Sequence, residues 1–275
     1  MFKILVLIIA AVSIFFWYPA SSDPIQKDVA KPAPQHTVQQ PSEHSQATVF
    51  LLSLLPPKQE WPDPVQKIWL SLNIEEAVQE RTNDIDWVPI TEIPIEMQQA
   101  LLAIEDHNFY SHGAIDIDGI LRAALVNITA GEVVQGGSTI TQQLTKNLFL
   151  SQEQTLSRKA EEALLALVME QHYSKDQLLE IYFNTTYFGA GATGLKAAAL
   201  TYFAKQPQEL QLAECAVIAS LPYAPSALNP LENPEGCKKR QLLVLQTMVK
   251  RGYIGTTLAE KAASAPVYLA NGTTF

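Results

Sequence analysis

The sequence predicts a mainly α-helical domain, and three observations lead to that prediction. Apolar residues recur at helical spacing along most of the chain from about residue 63 onward. Two capping boxes, each a hydroxyl residue followed three positions later by glutamine, mark helix starts at Thr139 and Ser174. The alternation of apolar and polar residues that is typical of strands is confined to short segments such as 88–90 and 267–269.

Length and charge limit the classes of function. The 275 residues, of which 47% are hydrophobic and 17% charged, suffice for one or two domains with a sizeable core. The net charge is −9. Because a protein surface that binds nucleic acid is basic, we expect no nucleic acid partner.

The first 20 residues predict a membrane anchor. Lys3 precedes an unbroken apolar run from 4 to 18, which is short for a spanning helix and long for the apolar part of a signal peptide. We favour an uncleaved N-terminal transmembrane helix, with a signal segment cleaved near 20–22 as the alternative. Both place the rest of the chain outside the cytoplasm. Residues 21–62 are rich in Pro, Gln and Ser, and we expect a flexible tether there.

The folded part is predicted to be a succession of helices from residue 63. Gly131 is the expected C-cap of the second clear helix. Apolar spacing, caps and bounding glycines give the segments 94–104, 117–129, 139–147, 157–172, 174–184, 194–203, 210–221, 236–250 and 257–263.

The helix that begins at Thr139 carries an unusual polar face. Its hydrogen-bonding side chains recur at helical spacing and share one side, at positions Thr139, Gln142, Gln143 and Lys146. The preceding pair Gly136-Gly137 would let a ligand approach the backbone closely, and a helix N-terminus attracts anions. The pattern indicates a site for a phosphorylated group with Lys146 as its cation. An ordinary solvent-facing polar helix is the alternative.

The turn 105–113 offers acidic groups and imidazoles. Glu105 lies near the C-terminal end of a helix, where the dipole and apolar neighbours raise a carboxyl pKa, as a general base requires. His107, His112, Asp106 and Asp116 could form a metal site, but their spacing matches no zinc motif. We interpret His112 as a residue that shapes the turn and Phe109 as a core residue.

The helix 157–172 is clearly amphipathic. We expect it to bury Ala160, Ala163, Leu164, Leu167 and Val168. Arg158 and Glu162 would then lie together on the opposite face. They form either a simple i,i+4 ion pair or a second acidic group that faces the site of Glu105 and Lys146.

Two further patterns are interpreted as structural. The run 189–194 satisfies G-x-G-x-x-G, but a helix precedes it instead of a strand, so we expect a glycine-rich turn. Cys215 lies in an apolar helical segment and is expected to be a buried thiol, with a disulfide to Cys237 as the alternative.

Taken together, these segments resemble the peptidoglycan glycosyltransferases of glycosyltransferase family 51. Residues 136–147 read G-G-S-T-I-T-Q-Q-L-T-K-N and match the family's second motif throughout. Glu105-Asp106 with Phe109 and His112 resembles its first motif, and Arg158-Lys159 with Glu162 resembles its third. The stretches 175–189 and 199–216 resemble the fourth and fifth.

The resemblance implies two α-helical lobes, a larger lysozyme-like one and a smaller membrane-proximal one. It implies a glycosyltransferase domain over 63–230, followed by a C-terminal extension, 231–275, that resembles the linker of bifunctional penicillin-binding proteins. The implied reaction is polymerisation of lipid II into β-1,4-linked glycan with release of undecaprenyl pyrophosphate. The implied place is the outer face of the bacterial cytoplasmic membrane, together with other cell-wall synthesis proteins.

The resemblance also assigns roles to residues. Glu105 would be the general base, and Glu162 would organise the leaving pyrophosphate through a divalent cation such as Mg²⁺ or Mn²⁺. Lys146 and Arg158 would balance its charge. The remaining residues expected to bind substrate are Asp106, Phe109, His112, Gly136, Gly137, Ser138, Thr139, Gln142, Gln143, Asn147 and Asn184.

Two positions depart from the family pattern. Gln154 stands where an arginine is common, and Glu161 stands where a lysine is common. Both changes would remove positive charge near the leaving group. They motivate an alternative function, a non-catalytic lipid II-binding scaffold. A lytic transglycosylase, which cuts glycan, is a second alternative.

Overall fold

The computed structural model describes residues 63–130, 136–151, 153 and 155–275. The predicted anchor at 1–20 and tether at 21–62 lie outside these residues, as do Gly131 and Gln154. Residues from 63 to the C-terminus belong to one compact unit. No helix within the described ranges is long and apolar enough to cross a membrane.

The described part of the chain is mainly α-helical, as predicted. In chain order its helices are α1 (Asp63–Leu72), α2 (Ile74–Thr82), α3 (Ile95–Glu105), α4 (Ile117–Ala130), α5 (Ile140–Phe149), α6 (Leu156–His172), α7 (Lys175–Thr185), α8 (Leu195–Phe203), α9 (Leu212–Ser220), α10 (Pro234–Lys250) and α11 (Thr256–Ser264).

Local sequence signals determine where these helices begin. Both predicted capping boxes form: the side chains of Thr139 and Ser174 accept from the backbone three residues on, and the partner glutamines bond back. Two isolated antiparallel bridges, Tyr187 with Thr193 and Tyr268 with Thr274, are the β pairing of the described residues. The first closes the glycine-rich turn, in which Gly189, Gly191 and Gly194 all have positive φ, so the turn interpretation is confirmed.

The core is centred on α9. From Ala213 to Ser220 every residue of this helix is buried, as expected for a helix that is apolar on all sides. It packs against α3 and α10, and Val244, Leu245 and Met248 of α10 join the same core. The helix α10 of the predicted extension at 231–275 therefore packs against the rest of the domain.

A second set of contacts joins α5 to α6 and α7. Ile140 and Leu144 of α5 are fully buried, as are Met169 of α6 and Leu178 of α7. These contacts bring the N-terminal half of α6 alongside α5. The predicted phosphate-binding helix and the third motif are thus neighbours.

The prediction of the buried face of α6 was wrong. Leu164 and Leu167 are 63% and 45% exposed, whereas Glu162, Leu165, Ala166 and Met169 are buried. An inward-facing carboxylate is tolerable only when cations neutralise it, and Lys159 and Arg158 lie against Glu162. Those pairings allow the charged side of α6 to face the protein.

Candidate active site

The centre of the candidate site is the carboxyl group of Glu105, the last residue of α3. Its Oε2 accepts a hydrogen bond of 2.8 Å from Nε2 of Gln143 on α5. Burial raises the pKa of the Glu105 carboxyl above its ordinary value, while the Gln143 hydrogen bond and the charges of Arg240 and Lys146 oppose that rise. The structure therefore brings Glu105, Gln143 and Lys146 together, as the sequence predicts.

Lys146 is available to a ligand. Its side chain is partly exposed, and no carboxylate among the described residues lies within ion-pair distance of its ammonium group. An unpaired cation beside a partly buried acid is an arrangement that suits an anionic group.

The N-terminus of α5 binds a protein carboxylate. The Ile140 N–H donates to Oδ2 of Asp106 at 3.0 Å, and the Gln142 N–H donates to the Thr139 hydroxyl at 3.1 Å. Protein acceptors therefore occupy both of these backbone donors, and neither of them is open to a phosphate in this structure. The side chains of Thr139 and Gln142 are both used in the capping box of α5. Both residues are almost fully buried.

The glycine pair before α5 has two different environments. A Cβ at Gly137 would lie 3.1 Å from the Cα of Ile120 on α4, so this glycine permits close packing of α4. A Cβ at Gly136 would meet no atom within 4 Å. Close approach of a ligand is thus not what requires Gly137.

His112 and Asp106 hold the first motif in shape. The Nε2 of His112 lies 2.6 Å from Oδ1 of Asp106, and its Nδ1 lies 2.5 Å from the carbonyl oxygen of Gly113. The interpretation of His112 as a turn-shaping residue is confirmed. In the described ranges, no three His, Cys, Asp or Glu residues are grouped so as to hold a metal ion.

The third motif forms a cationic cluster around a buried acid. Glu162 is 2% exposed. Its Oε1 pairs with Nζ of Lys159, which also donates to the Ser138 hydroxyl at 2.9 Å. Its Oε2 lies 3.7 Å from Nη1 of Arg158. We define Arg158, Lys159 and Glu162 as the α6 charge cluster, which carries one positive charge in excess.

Arg158 has donors to spare. Its side chain is 13% exposed, and within the described part of the chain its Nε and Nη1 atoms have no hydrogen-bond partner. A buried donor without a partner is costly, so an anionic ligand would stabilise it. By the same measure the cluster does not fit a divalent cation, because ammonium and guanidinium groups already face both oxygens of Glu162.

Two of the predicted ligand contacts, and one position that departs from the family pattern, have other surroundings. Phe109 is 1% exposed and lies in the core, as its core interpretation predicts, so its side chain is not open to a substrate. Asn184 is also 1% exposed, and its amide bonds the backbone of Val88. Glu161 points away from the α6 charge cluster and pairs with Lys67 of α1 at 2.8 Å. The expected loss of positive charge at Glu161 therefore falls outside the candidate site.

Asn147 is exposed at the surface of α5, where it remains a predicted substrate contact. A cavity of about 380 Å³ lies elsewhere, between α1 and α6, and none of the residues predicted to bind substrate lines it. The candidate site comprises Glu105 with Gln143 and Lys146, and the α6 charge cluster, which Lys159 joins to Ser138 just before α5.

Sequence reasoning gave no role to three residues of this site, although Lys159 lies in the third motif and Tyr182 in the stretch that resembles the fourth. Lys159 could have been found, since a cation three positions before Glu162 on a helix shares its face. Tyr182, whose hydroxyl donates to Gln143 at 3.0 Å, and Arg240, whose charge acts on Glu105, gave no such signal. Long-range packing of α7 and α10 brings them in.

The chain is similar to known proteins over most of its folded part. A family model described as Transglycosylase matches residues 71–249. A protein of Cupriavidus necator that is named provisionally as a transglycosylase is 45% identical over 184 residues, which cover 67% of this chain and 79% of that protein.

Larger proteins are similar over part of their length. Penicillin-binding protein 1A of Aquifex aeolicus is 49% identical over 181 residues, which cover 66% of this chain and 25% of that protein. This chain therefore spans about a quarter of the length of that relative. The crystal structure of penicillin-binding protein 1A from Haemophilus influenzae is similar with a TM-score of 0.42 and 24% identity, over 68% of this chain and 18% of that chain.

Proposed function

This chain belongs to the transglycosylase family of peptidoglycan glycosyltransferases, and we propose that it polymerises lipid II into β-1,4-linked glycan strands. The donor is the growing glycan on its lipid pyrophosphate, and the acceptor is lipid II. The observation that carries the proposal is the Glu105 carboxyl group, placed within reach of the charges of Lys146 and Arg240.

Glu105 acts as the general base. It takes the proton from the 4-hydroxyl of the acceptor as that oxygen attacks C1 of the donor sugar. The new O4–C1 bond forms, the C1–O bond to pyrophosphate breaks with inversion, and the electron pair leaves on the phosphate oxygen. Because burial raises the pKa of Glu105, its basicity lies closer to that needed at neutral pH than an exposed carboxylate's would.

The departing pyrophosphate is met by cations. Among the described residues, Lys146 has no carboxylate partner, and the α6 charge cluster has one positive charge in excess with donors on Arg158 that lack a hydrogen-bond partner. Such groups stabilise charge that develops on the leaving group. No step of the proposed reaction uses a divalent cation.

An exposed apolar face on α4 supports contact with a membrane. Four large side chains share one side of this helix at helical spacing and are 68%, 59%, 67% and 79% exposed, namely Ile117, Leu121, Leu125 and Ile128. A contiguous exposed apolar surface suits a bilayer or another protein. We propose that α4 contacts the outer face of the cytoplasmic membrane, where lipid-linked substrate is presented.

The test is polymerisation of labelled lipid II by the full chain in detergent. We expect glycan from the wild type and a loss of about 10²–10⁴-fold in rate for Glu105→Gln. Glu96→Gln is the matched control, since Glu96 is exposed in the first turn of the same helix, and it should retain the rate. Activity retained in Glu105→Gln would exclude Glu105 as the base.

The polymerisation assay and a cell-wall digestion assay together separate the alternative functions. Lipid II binding with no polymer from the wild type would support a non-catalytic scaffold. Release of anhydro-muropeptides from isolated cell walls would support a lytic transglycosylase. The side chain of Glu161, one of two reasons for the scaffold, pairs with Lys67 and does not face the site.

A further inference from the structure

A chain of three side chains runs from the interior of the domain to Glu105. The phenol of Tyr182 on α7 donates to Oε1 of Gln143 on α5 at 3.0 Å. The Nε2 of Gln143 in turn donates to Oε2 of Glu105 at 2.8 Å. Tyr182 is fully buried, so it does not contact a substrate, and its hydrogen-bonded path to Glu105 runs through Gln143.

The phenol can serve only as a neutral group here. Burial, and then the nearby carboxylate of Glu105, raise the pKa of Tyr182 well above its ordinary value. A buried tyrosine hydroxyl seeks an acceptor, and the Gln143 oxygen supplies it. In this structure the phenol donates and the Gln143 oxygen accepts, so the amide oxygen is the end that faces Tyr182.

The amide orientation has a consequence for Glu105. With its oxygen held by Tyr182, Gln143 presents an N–H group to Glu105, which favours the ionised carboxylate. If the amide were turned over, its oxygen would face Glu105 and would favour the protonated acid, which can donate. The two orientations thus support opposite protonation states of Glu105.

We propose that Tyr182 is a positioning residue that, through the side-chain amide of Gln143, holds Glu105 in the ionised form that can accept a proton. The inference rests on the proposed role of Glu105 as the base. The other charged groups that act on Glu105 are Lys146 of α5, Arg240 of α10 and the adjacent Asp106. Among the described residues, Tyr182 and Glu105 are the hydrogen-bond partners of the Gln143 side chain.

The first test is the pH profile of lipid II polymerisation by Tyr182→Phe, which keeps the buried ring and removes the hydroxyl. We expect the acidic limb of the profile to move up by about one pH unit, which is about a tenfold loss of rate below the limb, with recovery at higher pH. Tyr202→Phe is the matched control. Tyr202 is equally buried, and its hydroxyl donates to the carbonyl oxygen of Phe188 at 2.9 Å, so its loss should lower stability without moving the limb.

The second test reads Glu105 directly and needs no activity. Infrared spectra of full chain carrying ¹³C-labelled glutamate, with Glu105→Gln used to assign the band, give the titration of this carboxyl group. We expect the titration to move to higher pH in Tyr182→Phe and in Gln143→Met. The double variant should titrate like Gln143→Met alone, because Tyr182 acts through the amide.

The outcomes are distinguishable. A Glu105 titration that is unchanged in Tyr182→Phe, or that moves equally in Tyr202→Phe, overturns the proposal even if the enzyme polymerises lipid II. A wild type that makes no polymer at any pH would instead contradict the proposed function, while the infrared titration still tests Tyr182. If Tyr182→Phe does not fold, the Gln143→Met titration decides, and no movement there overturns the proposal.

Discussion

Replacing Asn184 by alanine should reduce stability far more than it affects substrate binding. The Asn184 Oδ1 atom accepts from the Val88 N–H at 2.8 Å, and its Nδ2 donates to the carbonyl oxygens of Val88 and Glu180, each at 2.8 Å. Asn184 and Val88 are 1% and 3% exposed. The alanine variant would leave the N–H and C=O groups of Val88 buried without this partner.

The magnitude follows from those groups. Each buried polar group that loses its partner costs about 1–3 kcal/mol, so two of them cost about 2–6 kcal/mol, of which we take about 3 kcal/mol as the working figure. The carbonyl of Glu180 adds little, because it also lies within α7. For a domain of this size 1 kcal/mol shifts the melting temperature by about 2–4 °C, and we expect a decrease of about 6–12 °C.

The assay is thermal unfolding of the full chain followed by circular dichroism, with KM for lipid II measured at a temperature at which each variant is folded. Thr185→Ala is the control on the same helix. Its hydroxyl donates to the carbonyl of Ile181 at 2.7 Å, and its loss should change stability by at most about 0.5 kcal/mol. A small change in melting temperature for Asn184→Ala together with a tenfold higher KM would refute the reasoning and return Asn184 to the substrate site.

Three further predictions concern charges and thiols. Lys159→Met should destabilise the protein by about 1 kcal/mol, because Glu162 loses a partner whose side chain is itself 44% exposed. Denaturant unfolding measures this change, and the same substitution should reduce the free energy of unfolding less in a Glu162→Gln background. Because the pKa of Glu105 is raised above 4.5, its contribution to stability is complete below that pH and is lost as pH rises through the folded-state pKa. Melting temperatures measured against pH should therefore fall for the wild type relative to Glu105→Gln over that range, and parallel curves would contradict this. Cys215 and Cys237 are free and fully buried, and burial raises the pKa of Cys237 to about 12, so thiol reagents should label both only after unfolding; rapid labelling of the native protein would be the contrary result.

The sequence could predict whatever depends on near neighbours in the chain. The helix starts at Thr139 and Ser174 follow from capping residues three positions apart. The inward orientation of α6 could not be predicted in the same way. Leu164 and Leu167 are three positions apart, and so are Ala166 and Met169, so helical spacing alone permits either pair to be buried. The structure buries the side that carries Glu162, whose charge is paired with Lys159.

Contacts between distant segments were beyond local reasoning. Asp106, 34 positions earlier in the chain, accepts a hydrogen bond from the first residue of α5. A protein carboxylate therefore lies where an anionic ligand was expected. Arg240, whose charge acts on Glu105, lies in the segment predicted to be a C-terminal extension. In both cases tertiary packing supplies the partner, and the spacing of residues along the chain does not predict that partner.

The helix α5 carries three connections at once: its first residue bonds Asp106, Gln143 bonds Glu105 and Lys146 contributes its charge to the same acid. Each residue of an α-helix is rotated by about 100° from the last. Inserting a single residue between Ile140 and Gln143 would therefore swing Gln143 and Lys146 off their side together while leaving the helix start in place. For protein engineering, this makes the number of residues between Ile140 and Lys146 a constraint on any redesign of α5.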